Sequence, residues 1–221
     1  ILSIPRKKEP GHTLEYLTIE GIKSVLDAVE TSSRTGFRDL TLLSLMYDSA
    51  ARVQEIADLS VNDFRAEKPS TLRLTGKGSK TRIVPLMSTT SDLVSKYISI
   101  YHPSYRGEYN VPLFSNRKKE KLTRAGIAYI LKKYIKIARE KQPDLIPETV
   151  SPHGLRHSKS MHMLQAGVPL IYIRDFLGHS EISTTEIYYD KQILMASCPG
   201  GYTVLLKYPP EQLSIINASI H

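Results

Sequence analysis

Apolar positions change their spacing several times along the chain, and each change predicts an element. From Thr18 onward Ile22, Val25, Leu26 and Val29 recur at three- and four-residue intervals, the spacing of one helical face, with Thr18 placed to cap it. Leu40, Leu43 and Tyr47 carry the same pattern into a second helix. Between Ser70 and Leu86 the period drops to two. Leu72 and Leu74 alternate with Arg73 and Thr75, Gly76-Lys77-Gly78-Ser79 interrupts, and Thr81 to Leu86 runs extended, which predicts a β-hairpin with a lysine at its turn. Helical spacing returns at Ser91 to Tyr101 and at Thr123 to Lys141, where Ile127, Ile130, Leu131, Tyr134 and Ile135 form one apolar stripe that reads as core. Pro152 in a first turn opens a helix that Gly167 ends, and Pro169 to Leu177 gives a shorter one with Gly178 as its stop. Ser183 and Glu186 then fit a capping box, so Tyr188 falls just beyond the first turn of a short helix.

The two ends differ from this body. Residues 1–15 include the stretch IPRKKEPGHTLE, with prolines, a glycine and the basic residues Arg6, Lys7 and Lys8 but no apolar period, and they read as a linker entering the domain. After Ala196 come Cys-Pro-Gly-Gly, an apolar run from Tyr202 to Leu206, a Pro-Pro pair and a cluster of Leu213, Ile215 and Ile216. The expected fold class is mainly α with a small antiparallel β-sheet (α+β), in one domain over residues 16–196 followed by a distinct tail, 197–221.

Composition narrows the function. With 41% hydrophobic and 24% charged residues over 221 positions, the chain can bury a sizeable core, which excludes disorder and fibre. Thirty lysines and arginines against 22 acidic residues leave a net charge of +8, which suits a nucleic-acid partner without specifying one. The lone Cys198 excludes a disulfide framework within the chain and a zinc site built on several thiolates, and makes a reducing, cytoplasmic setting the expectation. No apolar run approaches the ~20 residues of a membrane span, so no membrane partner is expected.

Several chemistries can be set aside. The glycines around Lys77 lack the order of a phosphate-binding P-loop. His153 and His157 sit one helical turn apart, but Arg156 between them would repel a cation and the glutamate of the zinc-protease pattern is missing. There is no Gly-x-Ser-x-Gly elbow. What stands out is His153-Gly154-Leu155-Arg156, whose imidazole and guanidinium share one face at a helix N-terminus, a setting that favours a phosphate.

Three further segments, SAARVQEIADLSVNDF around Arg52, GKGSKTRIVPL around Lys77, and LGHSEISTTEIYYD with His179 nine residues before Tyr188, complete a pattern that resembles the tyrosine recombinase (phage integrase) family. The resemblance runs from the Thr18 helix to Asp190. It implies that family's catalytic-domain fold and a site made of Arg52, Lys77, His153, Arg156, His179 and the nucleophile Tyr188, with Glu55 in support. It also implies a DNA strand exchange through a covalent 3′-phosphotyrosine, with no cofactor and no metal. The roles implied are two arginines stabilising the charge on phosphorus, Lys77 as general acid to the leaving 5′ oxygen, His153 as proton acceptor for the tyrosine, and His179 as a donor to the phosphate. Tyr189 points about 100° away from Tyr188 around a helix, and Lys80 shares the turn of Lys77; the family spacing favours Tyr188 and Lys77. His157 and His162 read as helix residues without a catalytic role.

One departure from the family is Ala50-Ala51 before Arg52, where a glycine is common. The partners implied are double-stranded DNA, contacted by Arg6, Lys7, Lys8, Lys80 and Arg82, a homo-tetramer on two DNA sites, and an accessory DNA-bending protein. Residues 1–15 are then the connection from a core-binding domain that precedes the catalytic domain, and the tail is expected to dock on a neighbouring protomer, the alternative being that it folds back on its own domain. A type IB topoisomerase or telomere resolvase uses the same constellation, and a catalytically idle DNA-binding regulator is the rival from outside enzymes.

Overall fold

The computed structural model describes residues 16–105, 107 and 110–178, with the backbone alone at Lys77. Among the described residues seven α-helices and one three-stranded sheet follow one another: α1 (Ile19–Asp27), α2 (Arg34–Asp48), α3 (Val53–Asp58), β1 (Phe64–Arg65), β2 (Thr71–Thr75), β3 (Thr81–Pro85), α4 (Ser88–Tyr101), α5 (Arg124–Lys141), α6 (Pro152–Gln165) and α7 (Leu170–Leu177). The mainly helical class with a small antiparallel sheet is as the spacing predicts.

Local chemistry explains the boundaries. Side chains of Thr18, Ser33, Thr123 and Ser151 each accept a hydrogen bond from a backbone N–H of the first turn they cap, which satisfies one donor left over at a helix start. Gly178 ends α7 in the left-handed conformation, at φ 66. β2 and β3 pair antiparallel with Leu72 opposite Val84 and Leu74 opposite Arg82, and β1 adds on the far side of β2. β1 is too short to show in the sequence, since two residues cannot display an alternation.

The main core lies where α1 and α3 meet α5 and where α2 meets α4 and α6. The stripe on α5 is buried as its spacing requires, with Ile127 and Leu131 fully enclosed. A smaller cluster of Ala50, Met163, Ile173 and Leu177 seats α7 on α6 beneath the α2–α3 turn. Among the described residues no helix is long and apolar enough to cross a membrane.

One ionic contact crosses the interior. Lys159 Nζ on α6 lies 3.1 Å from Asp48 Oδ1 at the end of α2, and both side chains are nearly sealed from solvent. The other Asp48 oxygen accepts the Met87 N–H at 2.8 Å, so one carboxylate joins α2, α6 and the entry to α4. Removing the lysine strands a buried negative charge, which typically costs about 3–5 kcal/mol, whereas neutralising both partners costs far less. Lys159→Met is therefore expected to lower the urea unfolding free energy by about 3 kcal/mol or more, and Asp48→Asn/Lys159→Met to regain a large part of it. Equal stability of the single and double variants would show that the pair does not couple.

Candidate active site

Arg52 stands at the head of α3, as its N-cap residue, with extended backbone at φ −69 and ψ 149. Three residues on, the Glu55 side chain turns back to accept the Arg52 N–H at 2.7 Å and Arg52 Nη1 at 3.0 Å. The carboxylate thus caps its own helix and fixes the guanidinium that precedes it. The Arg52 side chain keeps 44% of its exposure while Glu55 keeps 2%, so the arginine reaches solvent from a buried anchor.

The turn that delivers Arg52 is tight. Ala50 adopts φ 46 and is fully buried, a left-handed conformation that costs an L-residue roughly 1–2 kcal/mol. This is the geometry for which a glycine would be the default, and the alanine meets it without displacing Arg52 from the helix start. The Ala50 carbonyl accepts Arg156 Nη1 at 2.6 Å.

Arg156 comes from the first turns of α6 and is 4% exposed. Its Nη2 donates to the Leu177 carbonyl at 2.6 Å, so one guanidinium ties the α2–α3 turn to the C-terminal end of α7. His153 lies one turn earlier on the same helix. Withdrawal from water, then the charges of Arg156 and Arg52, hold its imidazole below the ordinary range, which places all three side chains in one electrostatic neighbourhood.

The hairpin closes the group. Lys77 occupies the turn between β2 and β3, where Gly78 (φ 73) and Ser79 (φ 57) are both left-handed and the Gly76 N–H donates to the Lys80 carbonyl at 2.8 Å. Gly76 is packed so closely that a Cβ there would lie 3.1 Å from Glu55 Oε1 and 3.8 Å from Arg52 Nη1. The base of the lysine turn therefore rests against the Arg52–Glu55 pair. Lys80 is exposed on the same turn.

Arg82, expected among the DNA contacts, is turned inward here, with 13% side-chain exposure. It donates Nη1 and Nη2 to the two Glu55 oxygens at 2.7 and 2.8 Å and Nε to the Phe176 carbonyl at 3.0 Å. The strand period carried the signal: Arg82 lies opposite the buried Leu74 and two residues from the buried Val84, on the core face of β3. Lys159 and Asp48 were likewise not legible as a pair. His157 and His162 lie on α6, helix residues as expected, and both are buried. The Tyr47 hydroxyl lies 2.8 Å from His162 Nδ1, and burial holds both imidazoles down to about 4. His179, Tyr188, Tyr189, Arg6, Lys7, Lys8 and the 197–221 tail lie outside the described residues.

Residues 15–194 match the phage integrase family. The chain belongs to that family. Its relatives include the tyrosine recombinase XerD of Corynebacterium glutamicum, 34% identical over 180 residues that make up 80% of this chain and 57% of the relative. XerD of Staphylococcus epidermidis is 36% identical over 175 residues, 79% of this chain and 57% of the relative. This member of the family thus spans little more than half the length of those recombinases. Among solved structures, the XerH site-specific recombinase in a post-cleavage complex with a palindromic difH substrate superposes with a TM-score of 0.69 at 28% identity, covering 83% of this chain and 52% of that one. XerA recombinase superposes at 0.71 with 21% identity over 87% and 68% of the two chains, a likeness of fold.

The Glu55 carboxylate makes the site sensitive to acid. Burial alone would raise its pKa, but hydrogen bonds and charge from Arg82 and Arg52 outweigh that and bring it down to about 2. A carboxylate depressed in the folded state contributes stability that is complete above its unfolded value of about 4.3 and disappears as pH falls toward 2, a contribution on the order of 3 kcal/mol. Glu55→Gln is expected to be less stable than wild type at pH 7 and to lose less on going from pH 5 to pH 2.5, read by urea unfolding at each pH. Parallel stability profiles for the two proteins would contradict the bridge.

Proposed function

We propose that this chain is the catalytic part of a site-specific DNA recombinase, which cleaves and rejoins DNA through a 3′-phosphotyrosine at Tyr188 and exchanges strands between two sites. The observation that supports this most is the convergence of Arg52, the His153–Arg156 pair and the Lys77 turn from three separate stretches of sequence onto one end of the domain. Family membership supplies the rest of the reading.

In the proposed step the Tyr188 phenolic oxygen bonds to phosphorus as the bond from phosphorus to the 5′ oxygen breaks. His153 takes the phenolic proton and Lys77 supplies a proton to the departing 5′ oxygen. His153 suits this task because its withdrawal from water, then the charges of Arg156 and Arg52, hold its imidazole below the ordinary range and so favour the neutral form that accepts a proton. The Arg52 and Arg156 forks stabilise the extra negative charge on the non-bridging oxygens in the transition state, and His179 donates a further hydrogen bond. The phosphotyrosine conserves the energy of the original ester, so a 5′ hydroxyl from another strand can reverse the step without any co-reactant.

Exchange between two duplexes requires one nucleophile for each of the four strands cut, hence a homo-tetramer on double-stranded DNA, with an accessory DNA-bending protein to bring the sites together. Arg6, Lys7, Lys8 and Lys80 belong to this reading as phosphate contacts, whose share of the affinity falls with salt. The tail, 197–221, docks on the neighbouring protomer.

A nicked suicide duplex, on which loss of a short strand prevents rejoining, tests the proposal. Drawn from a pool of randomised sequence, such duplexes should form an adduct with the wild-type chain that survives a denaturing gel. Tyr188→Phe should abolish it and Tyr189→Phe should leave it. The rate should climb with pH through a midpoint below the usual imidazole value of about 6.5, because only neutral His153 accepts the proton, and His153→Gln should remove that limb. Binding of DNA without any wild-type adduct would favour an idle regulator, and relaxation of supercoils by a monomer would favour a topoisomerase.

A further inference from the structure

Arg82 connects three elements that the proposed chemistry needs in register. It stands on β3, the strand that leaves the Lys77 turn. Both terminal nitrogens grip the Glu55 carboxylate, which in turn holds the backbone and side chain of Arg52. Its Nε donates to the Phe176 carbonyl, one of the last carbonyls of α7, which have no partner within the helix.

The adjoining residue is fitted around it. Gly178 ends α7 at φ 66, and a Cβ there would come within 2.9 Å of Arg82 Cδ and 3.1 Å of Nη1. The backbone leaving α7 thus passes over the Arg82 side chain with no room for a methyl group. Leu177, between Phe176 and Gly178, gives its carbonyl to Arg156. The segment that runs on toward His179 is therefore anchored at successive carbonyls by two guanidiniums.

We propose that Arg82 is a positioning residue for DNA cleavage: by bridging Glu55 and Phe176 it holds the Arg52 fork, the lysine turn and the exit of α7 in the arrangement in which phosphodiester attack occurs. This rests on the recombinase reading of the site. The bridge needs a planar fork with three donors pointing in two directions, which a lysine ammonium does not reproduce. To reach a DNA phosphate instead, Arg82 would have to leave a buried carboxylate with half its cationic partners.

The test uses the full chain and a nicked suicide duplex chosen from a randomised pool for adduct formation by wild type. Adduct formation is followed at saturating DNA, with the dissociation constant and the melting temperature measured in parallel. Arg82→Lys and Arg82→Met are expected to slow the rate constant by roughly 10–100-fold, the scale of an ångström-level misplacement, with DNA affinity within about twofold of wild type. The charge-preserving lysine should fail to rescue the rate. Arg82→Met placed in a Glu55→Gln background should add little to the loss, since the two side chains act as one unit.

Hydrogen exchange at the amides of 52–56, 76–80 and 176–178 should accelerate together in Arg82→Met. Gly178→Ala should slow cleavage in the same way, with Arg82 itself intact, and so supplies the answer if Arg82→Met does not fold. A purely structural role would lower the active fraction and melting temperature while leaving the rate constant of the folded protein unchanged, and would overturn the proposal. So would a weakened affinity with unchanged rate at saturation, restored by lysine, which is the pattern of a phosphate contact. Failure of wild type to form an adduct with any duplex in the pool would overturn the recombinase reading and this role with it, whereas normal wild-type cleavage beside unaffected Arg82 variants removes this role alone.

Discussion

The Glu55 carboxylate is the point on which this end of the molecule depends. A negative charge sealed from water is costly unless its lone pairs are filled, and here four donors fill them: the Arg52 N–H, Arg52 Nη1 and two nitrogens of Arg82. Each donor belongs to an element that must lie in one place for the charge to be tolerated. β3 is drawn against α3 by Arg82, α7 against β3 by the same side chain, and α7 against the α2–α3 turn by Arg156. Since Ala50 leads back to Arg52 through the chain, the contacts form a closed circuit, and displacement of any member is felt by the others.

Three guanidiniums serve that circuit at three depths, and depth separates their work. Arg156 is nearly sealed and holds two backbone carbonyls, Arg82 is almost as deep and holds a carboxylate and a carbonyl, and Arg52 is half open with its anchor behind it. A planar, permanently charged fork suits all three because it offers several donors at fixed angles without the option of shedding its proton. Cations at the C-terminal end of α7 also oppose the negative pole of that helix, which makes the carbonyls of Phe176 and Leu177 good partners for buried positive charge.

Much of this was legible in the sequence where the physics is local. Thr18, Thr123 and Pro152 mark helix starts because capping and the fixed proline φ act within one turn, and the α5 stripe shows its buried face through spacing alone. Arg52, Lys77, His153 and Arg156 could be picked out as residue types in order along the chain. What the sequence does not display is the partner of a charge. Arg82 looks like one more basic residue near a lysine turn until its register opposite Leu74 turns it inward, and Lys159 lies 111 residues from Asp48. The left-handed Ala50 is invisible for another reason, since nothing in the letters announces that an alanine will adopt a glycine's conformation.

The circuit also has a consequence in time. Arg82 meets Phe176 across 94 positions, Arg156 meets Ala50 across 106, Tyr47 meets His162 across 115, and the Leu17 N–H finds the Ser158 hydroxyl across 141. Contacts this distant form late, because the loop entropy they require is recovered only when the intervening elements are in place. During synthesis the Arg52 end and the hairpin emerge well before α6 and α7, and until those helices leave the ribosome neither Arg156 nor the Phe176 carbonyl exists to complete the arrangement. A nascent chain therefore carries the early half of this circuit unassembled until α6 and α7 are there to close it.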